Sequence, residues 1–485
     1  MKYVITGREP KLALKYFEDI AAIPHGSYNE KAVAEFIKNR AEELGLYARM
    51  DRANNVVVKK PATLGYEHLP AVLLQAHTDM VNEKNKDTVH DFEKDGLELI
   101  VEGNILRANG TTLGADDGKG VAYMLALMDE DSDKFPHPPL EFAFTSMEEV
   151  GLIGAMKLDC SDITARKLIG LDAGPEGVIC TTSAGAQEII VACDTQWEDA
   201  RGEAVKITVD GLLGGHSAMN ITDEKGNANK IMGRILHNVA KVCDFRICNV
   251  TGGMMFNAIP REAEAVITVV DGNKDAAVEM INTVFEQLKT ELKASDAGVN
   301  VQVSDCTADR ILSATVTKTV TEALYTIPNG VRMMSKEVEG LPVTSTNMGV
   351  VKTLEDKITI NTMLRSSSRS VNDDYVDNII TVAQLCGMYV DYKGDWMPAW
   401  PYMAESELRP LVKRLYNEKT GGEIKEFAVH GGLELGVFSE KLPGVDIVTL
   451  GCTSGNEHTV TEWMDLDSYE RVYEFIKELL TELTK

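Results

Sequence analysis

The sequence predicts an α/β protein, a doubly wound and mostly parallel sheet with a separate α+β domain inserted into it. Three observations carry that expectation. Helical and strand-like segments alternate through the first part of the chain, the order that builds a parallel sheet with helices on both faces. From about Gln187 the strands lengthen and alternate in polarity, as in Val205-Lys-Ile-Thr-Val209 and Glu264-Ala-Val-Ile-Thr-Val269. After Trp400 the α/β alternation returns. A chain of 485 residues is also too long for one ordinary core. The expected boundaries are 1–186 with 394–485 for the sheet domain, and 187–393 for the insert.

Residues 11–24 and 29–45 carry helical periodicity, the second with an apolar stripe of Ala32, Val33, Phe36, Ile37 and Ala41 that stops at Gly45. Strands are expected at Asn55–Lys60 and Ala71–Ala76. The apolar run Val72-Leu-Leu74 reads as a strand buried on both faces, as parallel sheets require. After Gly114-Ala-Asp116-Asp117-Gly-Lys-Gly120 comes a helix built on Val121, Met124, Leu125 and Met128. Leu140–Thr145 and Lys167–Leu171 are the next strands. The insert reads as two successive β-α-β-rich units. Helices are expected near Asn229–Val242 and Ala277–Leu292 in the first, and near Thr317–Tyr325 and Asp374–Cys386 in the second. The chain then closes with helix Leu408–Asn417, strand Ile424–Val429, the turn His430-Gly431-Gly432-Leu-Glu434, strand Val445–Leu450 and helix Ser468–Leu483.

Composition narrows the function. A net charge of −26 argues against nucleic acid or an anionic membrane surface as a partner, since both reward clustered Lys and Arg. No apolar run approaches the ~20 residues of a membrane span, and the N-terminus lacks a signal-peptide core. The eight cysteines are scattered without a Cys-x-x-Cys pair, which favours reduced thiols over disulfides or a thiolate metal site. A cytoplasmic protein is expected.

The chemistry lies at strand ends. His77 and Asp79 close the Ala71–Ala76 strand, and being two apart they leave the same face. In open α/β sheets the carboxyl ends of strands are where ligands bind. Asp116, Glu148, Glu149, Asp172 and His458 each fall at or just after a predicted strand end, or in the turn that follows. In a parallel sheet those ends share an edge, so the side chains can converge. Crowded carboxylates raise one another's pKa unless cations intervene. A set of N and O donors without thiolate fits zinc, with manganese or cobalt as alternatives. A carboxylate beside His77, such as Asp79, can set the imidazole's tautomer. Gly114–Gly120 has a competing reading as a phosphate loop, but the P-loop spacing is absent and two carboxylates would repel a phosphate. A metal-bridging Asp116 is the better reading, with plain helix capping as the alternative. Glu148 and Glu149 are adjacent, so one can bind metal while the other faces water or substrate.

Together His77-Thr-Asp79-Met-Val81, Thr112-Leu-Gly-Ala-Asp116-Asp117-Gly-Lys-Gly120, Glu148-Glu149-Val-Gly-Leu152, Leu171-Asp172, Gly214-Gly-His216-Ser217, Asn257-Ala-Ile-Pro260 and His458 resemble the di-zinc peptidase family. That family includes glutamate carboxypeptidases, aminoacylases, peptidase T and dipeptidases, and the resemblance spans essentially the whole chain. It implies two divalent metal ions per chain: Asp116 bridging, His77 and Asp172 completing one site, Glu149 and His458 the other. It implies Glu148 as general base, Asp79 as the carboxylate behind His77, and a cis peptide between Asp116 and Asp117. In the insert, acting as a lid, it implies His216 as a stabiliser of charge on the substrate carbonyl oxygen. Asn257 and Arg365 would hold the substrate backbone and carboxylate, with backbone donors from Gly431 and Gly432 beside them. The implied substrates are small dipeptides of the Xaa-His type, and the implied partner is a second copy through the lid. A deacylase or carboxypeptidase on the same scaffold, or a non-catalytic binding protein, are the alternatives.

Overall fold

The structure, a computed structural model, describes residues 3–132 and 135–485. They fall into two compact units: Met1–Thr182 with Tyr402–Ala428 and Leu433–Lys485, and Ser183–Pro401 with Val429–Gly432. The cuts fall at 182/183 and 401/402, where the boundaries expected from the sequence were 186/187 and 393/394. The short segment Val429–Gly432 groups with the insert because Ala184 N–H donates to Val429 O at 3.1 Å, so this stretch is tied to the first strand of that unit.

The first unit is built on a six-stranded sheet in the order Tyr47–Met50, Val56–Lys60, Leu140–Thr145, Val72–His77, Lys167–Gly170, Asp446–Thr449. The first two pairings along this order are antiparallel and the remaining three are parallel. Val72–His77 and Leu140–Thr145 are buried at every residue, as strands covered by helices on both faces must be. The chain builds to one side of Val72–His77 with Leu140–Thr145 and then crosses to the other side with Lys167–Gly170. That reversal of strand order places a crevice at the carboxyl end of the His77 strand. Helix Ala115–Asp129 is held against helix Leu466–Glu482 by Tyr123, whose ring stacks on Tyr469 at 4.3 Å and whose hydroxyl donates to Tyr469 O at 2.7 Å. A small antiparallel sheet of Leu99–Glu102, Ile105–Ala108, Trp463–Asp465 and Ser454–Gly455 carries the loop with His458.

In the second unit the two β-α-β-rich units are both present, and one is nested in the other. Glu203–Asp210, helix Ala228–Val239, Phe245–Gly252, Ala263–Val269, helix Lys274–Glu291 and Asn300–Asp305 form a βαββαβ motif with spatial strand order 4-1-3-2. Gly185–Asp194, helix Ala314–Thr326, Pro342–Thr353, Lys357–Ser366, helix Arg369–Leu385 and Tyr389–Lys393 form another with the same order. The first motif is spliced between the opening strand and opening helix of the second. The two meet edge to edge where Gly252 pairs Val351, giving a nine-stranded sheet that includes Gly330–Met334. The strand Phe245–Gly252, which makes that junction, was not marked by an apolar alternation. Its register shifts between Ile247 and Asn249, and a bulge breaks the period of two.

Asparagines stitch the motifs together. Asn227 caps helix Ala228–Val239 through Lys230 N–H, and its amide donates to Asn329, Asn347 and the carbonyl of Met348 at 3.1–3.2 Å. Asn227→Ala therefore loses a cap and leaves the buried Asn347 Oδ1 without a donor, at a cost of about 2–4 kcal/mol. Urea denaturation of the second unit's transition measures it, and a shift of a few tenths of a kcal/mol refutes the junction's importance.

Candidate metal centre

The carboxyl edge of the first unit's sheet collects the titratable groups. His77, 1% exposed, ends the central strand. Its Nε2 is 2.9 Å from Asp116 Oδ1 and 3.9 Å from Asp172 Oδ2, and its Nδ1 is 3.0 Å from the carbonyl of Asp79. That carbonyl accepts a hydrogen bond from Nδ1–H, which leaves Nε2 free to act as a ligand. The Asp79 carboxylate is further from Nδ1, at 3.7 Å, and serves mainly to hold the next loop. It accepts the backbone N–H groups of Glu148 and Glu149 at 2.9 and 3.2 Å and the hydroxyl of Ser27 at 2.8 Å. One buried carboxylate thus ties the His77 strand to the turn that carries both glutamates.

Asp116 opens the helix Ala115–Asp129, and its peptide bond to Asp117 is cis. The loop leading to it is held by Glu462, a buried residue outside the motifs that mark the site in the sequence. The Glu462 carboxylate accepts the N–H groups of Leu113, Gly114, Ala115 and Asp116 at 2.7–3.3 Å. These are the orphan donors of a helix start, satisfied here from a distant loop. His458 Nε2 lies 3.3 Å from Asp116 Oδ2 and 2.9 Å from Glu149 Oε1, the latter without hydrogen-bond alignment. Asp116 therefore stands between two imidazoles.

Three overlapping groups have ligand atoms within 4.8 Å of one another: His77 with Asp116 and Asp172, Asp116 with Glu149 and His458, and His77 with Glu148 and Glu149. The electrostatics are those of a site built for cations. Burial pushes the Asp172 carboxyl up to about 6, with Asp116 adding to the effect, and it lifts Glu148 well above the usual carboxylate range. Burial also opposes charge on Asp116, but the two imidazoles outweigh it and hold that carboxyl far below its ordinary value. His458 is raised to about 10 by Asp116 and Glu149. Lys119, buried, keeps its charge against desolvation because Asp116, Asp117 and Asp172 surround it. Glu149 Oε1 is a buried oxygen with no hydrogen-bond donor. Nitrogen and oxygen donors, no thiolate and an unsatisfied carboxylate oxygen fit borderline divalent metals.

The remaining candidates belong to the second unit and gather there. Gly215–His216 pairs with Ala258–Ile259, and Ser217 N–H donates to the Asn257 carbonyl at 2.8 Å. His216 Nδ1 accepts from Ala218 N–H at 3.3 Å, so the proton of the neutral ring sits on Nε2. Burial and Arg365 both keep that ring neutral. Arg365 is 7% exposed and donates from Nε to Ser217 Oγ at 3.4 Å, and burial drops its pKa to about 10. A guanidinium so placed calls for an anion. His430 bonds Ser345 at 2.7 Å, and a Cβ on Gly431 would lie 3.6 Å from Ala218, while one on Gly432 would meet Met397 Sδ at 2.7 Å.

Residues 73–482 match peptidase family M20/M25/M40, and the chain belongs to that family of hydrolases. It is 36% identical over 474 residues to the cytosol non-specific dipeptidase of Escherichia coli (strain K12), covering 96% of each chain. It is also similar to the crystal structure of aminoacylhistidine dipeptidase from Vibrio alginolyticus, with a TM-score of 0.92, 34% identity and coverage of 98% and 97% of the two chains. The aminopeptidase PepT of Bacillus cereus ATCC 10987 shares the fold at a TM-score of 0.50, with 16% identity and coverage of 98% and 99%. Among the described residues no helix is long and apolar enough to cross a membrane.

The raised groups set a pH dependence for the metal-free protein. Glu434, buried, is raised from 4.5 to about 8, and His458 from 6.5 to about 10. Each contributes stability that is complete below its unfolded pKa and is lost as pH rises through its folded value. The metal-free protein is expected to melt progressively lower from pH 6.5 to pH 8, and divalent metal to flatten that slope by replacing the protons. Thermal melts across this range, with and without chelator, check it; a metal-free Tm that rises with pH contradicts the assignment.

Proposed function

We propose that the chain is a metal-dependent dipeptidase that binds two divalent ions, with zinc the resident metal and cobalt or manganese able to replace it. The observation that carries the reading is the convergence of His77, Asp116, Glu149, Asp172 and His458 on one sheet edge with Glu148 beside them. Asp116 would bridge the ions, His77 and Asp172 holding one, Glu149 and His458 the other. Bound there, the ions supply Lewis acidity and lower the pKa of a water at neutral pH. The Glu148 carboxylate takes the proton of the attacking water and returns it to the leaving amine. Asp79 keeps Glu148 and Glu149 in place through their backbone N–H groups. His216 Nε2–H donates to the charge that develops on the carbonyl oxygen. Arg365 pairs with the substrate's terminal carboxylate, and Asn257, with Gly431 and Gly432, orients its backbone. The second unit acts as a lid, working in the cytoplasm and pairing with a second copy of the chain.

The substrates are dipeptides, Xaa-His among them, as the names of the two similar enzymes support. Hydrolysis of a dipeptide panel, set beside tripeptides and N-acetyl amino acids, is the direct test; preference for acetyl amino acids makes the chain a deacylase instead.

Stripping metal should abolish activity, and adding back about two ions per chain should restore it. Full turnover in excess strong chelator refutes the metal reading. Glu148→Gln is expected to keep its metals and lose at least ~100-fold in kcat. For His216→Ala a fall of ~10²–10³ in kcat with metals retained and KM little changed is expected. Steady-state kinetics with metal analysis on each variant decides both, and unchanged kcat removes the residue from its role.

A further inference from the structure

One buried carboxyl under the metal centre has no part in the scheme above. Glu434 is 4% exposed and opens the short helix Glu434–Lys441. Its Oε2 accepts from Gln75 Nε2 at 2.7 Å and from Thr145 Oγ1 at 2.6 Å. Oε1 is buried with no hydrogen-bond partner. Gln75 is two residues before His77 on the same strand, so both side chains leave the same face. Thr145 is the residue paired with His77 on the neighbouring strand, and the next residues of its chain lead directly into Glu148 and Glu149. Gly170, paired with Gln75 on the other side, leaves that face bare, because a Cβ there would come 2.8 Å from Leu435. The first turn of this helix therefore rests on the carboxyl ends of three adjacent strands, directly below the His77 imidazole.

We propose that Glu434 is a positioning residue: its carboxyl, held by Gln75 and Thr145, is the floor that fixes His77 and the start of the Ser146–Glu149 turn. The inference rests on the two-metal reading above and extends it. Neither donor would keep its geometry without the acceptor. Gln75 also reaches Thr145 Oγ1 at 3.4 Å, and Thr145 reaches the Ala76 carbonyl at 3.3 Å, both longer than their bonds to Glu434. Loss of the acceptor frees the two strand ends to shift, and His77 moves with them. Since His77 belongs to one of the two proposed metal sites, with Asp116 and Asp172, the ions should be affected unequally.

The experiment is a zinc titration of metal-free protein, by competition with a chromophoric chelator, on wild type, Glu434→Ala, Glu434→Gln and Thr145→Val. Expected is a two-step curve for Glu434→Ala in which one ion is weakened about tenfold or more and the other much less. Thr145→Val should shift the same step. Glu434→Gln, which keeps an acceptor oxygen in an isosteric group, should return that step to within about threefold of wild type. Equal weakening of both ions together with a lowered Tm would mean a merely structural residue and overturn the proposal, as would a wild-type curve for Glu434→Ala. If Glu434→Ala does not fold, Glu434→Gln and Thr145→Val still decide: a Gln variant as weak as wild type is strong, or an unshifted Thr145→Val, defeats the acceptor account. Wild type that binds no zinc overturns the two-metal reading and this inference with it, whereas wild type that binds two ions with Glu434→Ala unchanged defeats only the floor.

Discussion

The structure depends on keeping one carboxylate, that of Asp116, ionised between two imidazoles at the buried edge of a sheet. Burial opposes its charge, as it does for its neighbours Asp117 and Glu148, whose carboxyls are pushed upward. The contacts to His77 at 2.9 Å and His458 at 3.3 Å reverse the balance. Almost every unusual feature nearby serves that arrangement. Glu462 gathers four N–H groups so that the loop before Asp116 is rigid, and Asp79 gathers two so that the glutamates face inward. A buried acidic cluster without cations is unfavourable as folded protein, and divalent ions resolve it.

The two units differ in the electrostatic character of their buried groups. The first presents carboxylates and imidazoles suited to cations. The second presents a buried guanidinium, Arg365, and a neutral imidazole, His216, whose proton is directed to Nε2 by the Ala218 N–H. A donor that is neutral and oriented can stabilise charge as it develops on an oxygen without first binding an anion of its own. The nine-stranded sheet of this unit runs through both motifs, and Asn227 and Asn347 bridge its halves near the paired strands of His216 and Ala258.

Much of this was legible in the chain. Fully apolar runs such as Val72-Leu-Leu74 mark strands buried on both faces. The strand-end placement of His77, Asp172 and the Glu148-Glu149 pair follows from where those runs stop, because local patterning and strand ends are properties of short segments. The element boundaries moved by a few residues, as at the helix expected over Ala277–Leu292, which runs Lys274–Glu291. The bulge near Cys248 hid a strand altogether, since a single extra residue inverts the alternation that would reveal it.

The sequence by itself determined which residue types were available for metal and proton chemistry, and at which ends of which elements they stood. Only the tertiary structure decided what holds them. Glu462 reaches the Asp116 loop across 346 to 349 positions, Glu434 reaches Thr145 across 289 and Gln75 across 359, and no spacing in the sequence announces either contact. The reason is physical. A ligand's identity is written in its own residue and the strand that presents it. The hydrogen bonds that fix its orientation come from whichever distant segment the packed core brings alongside.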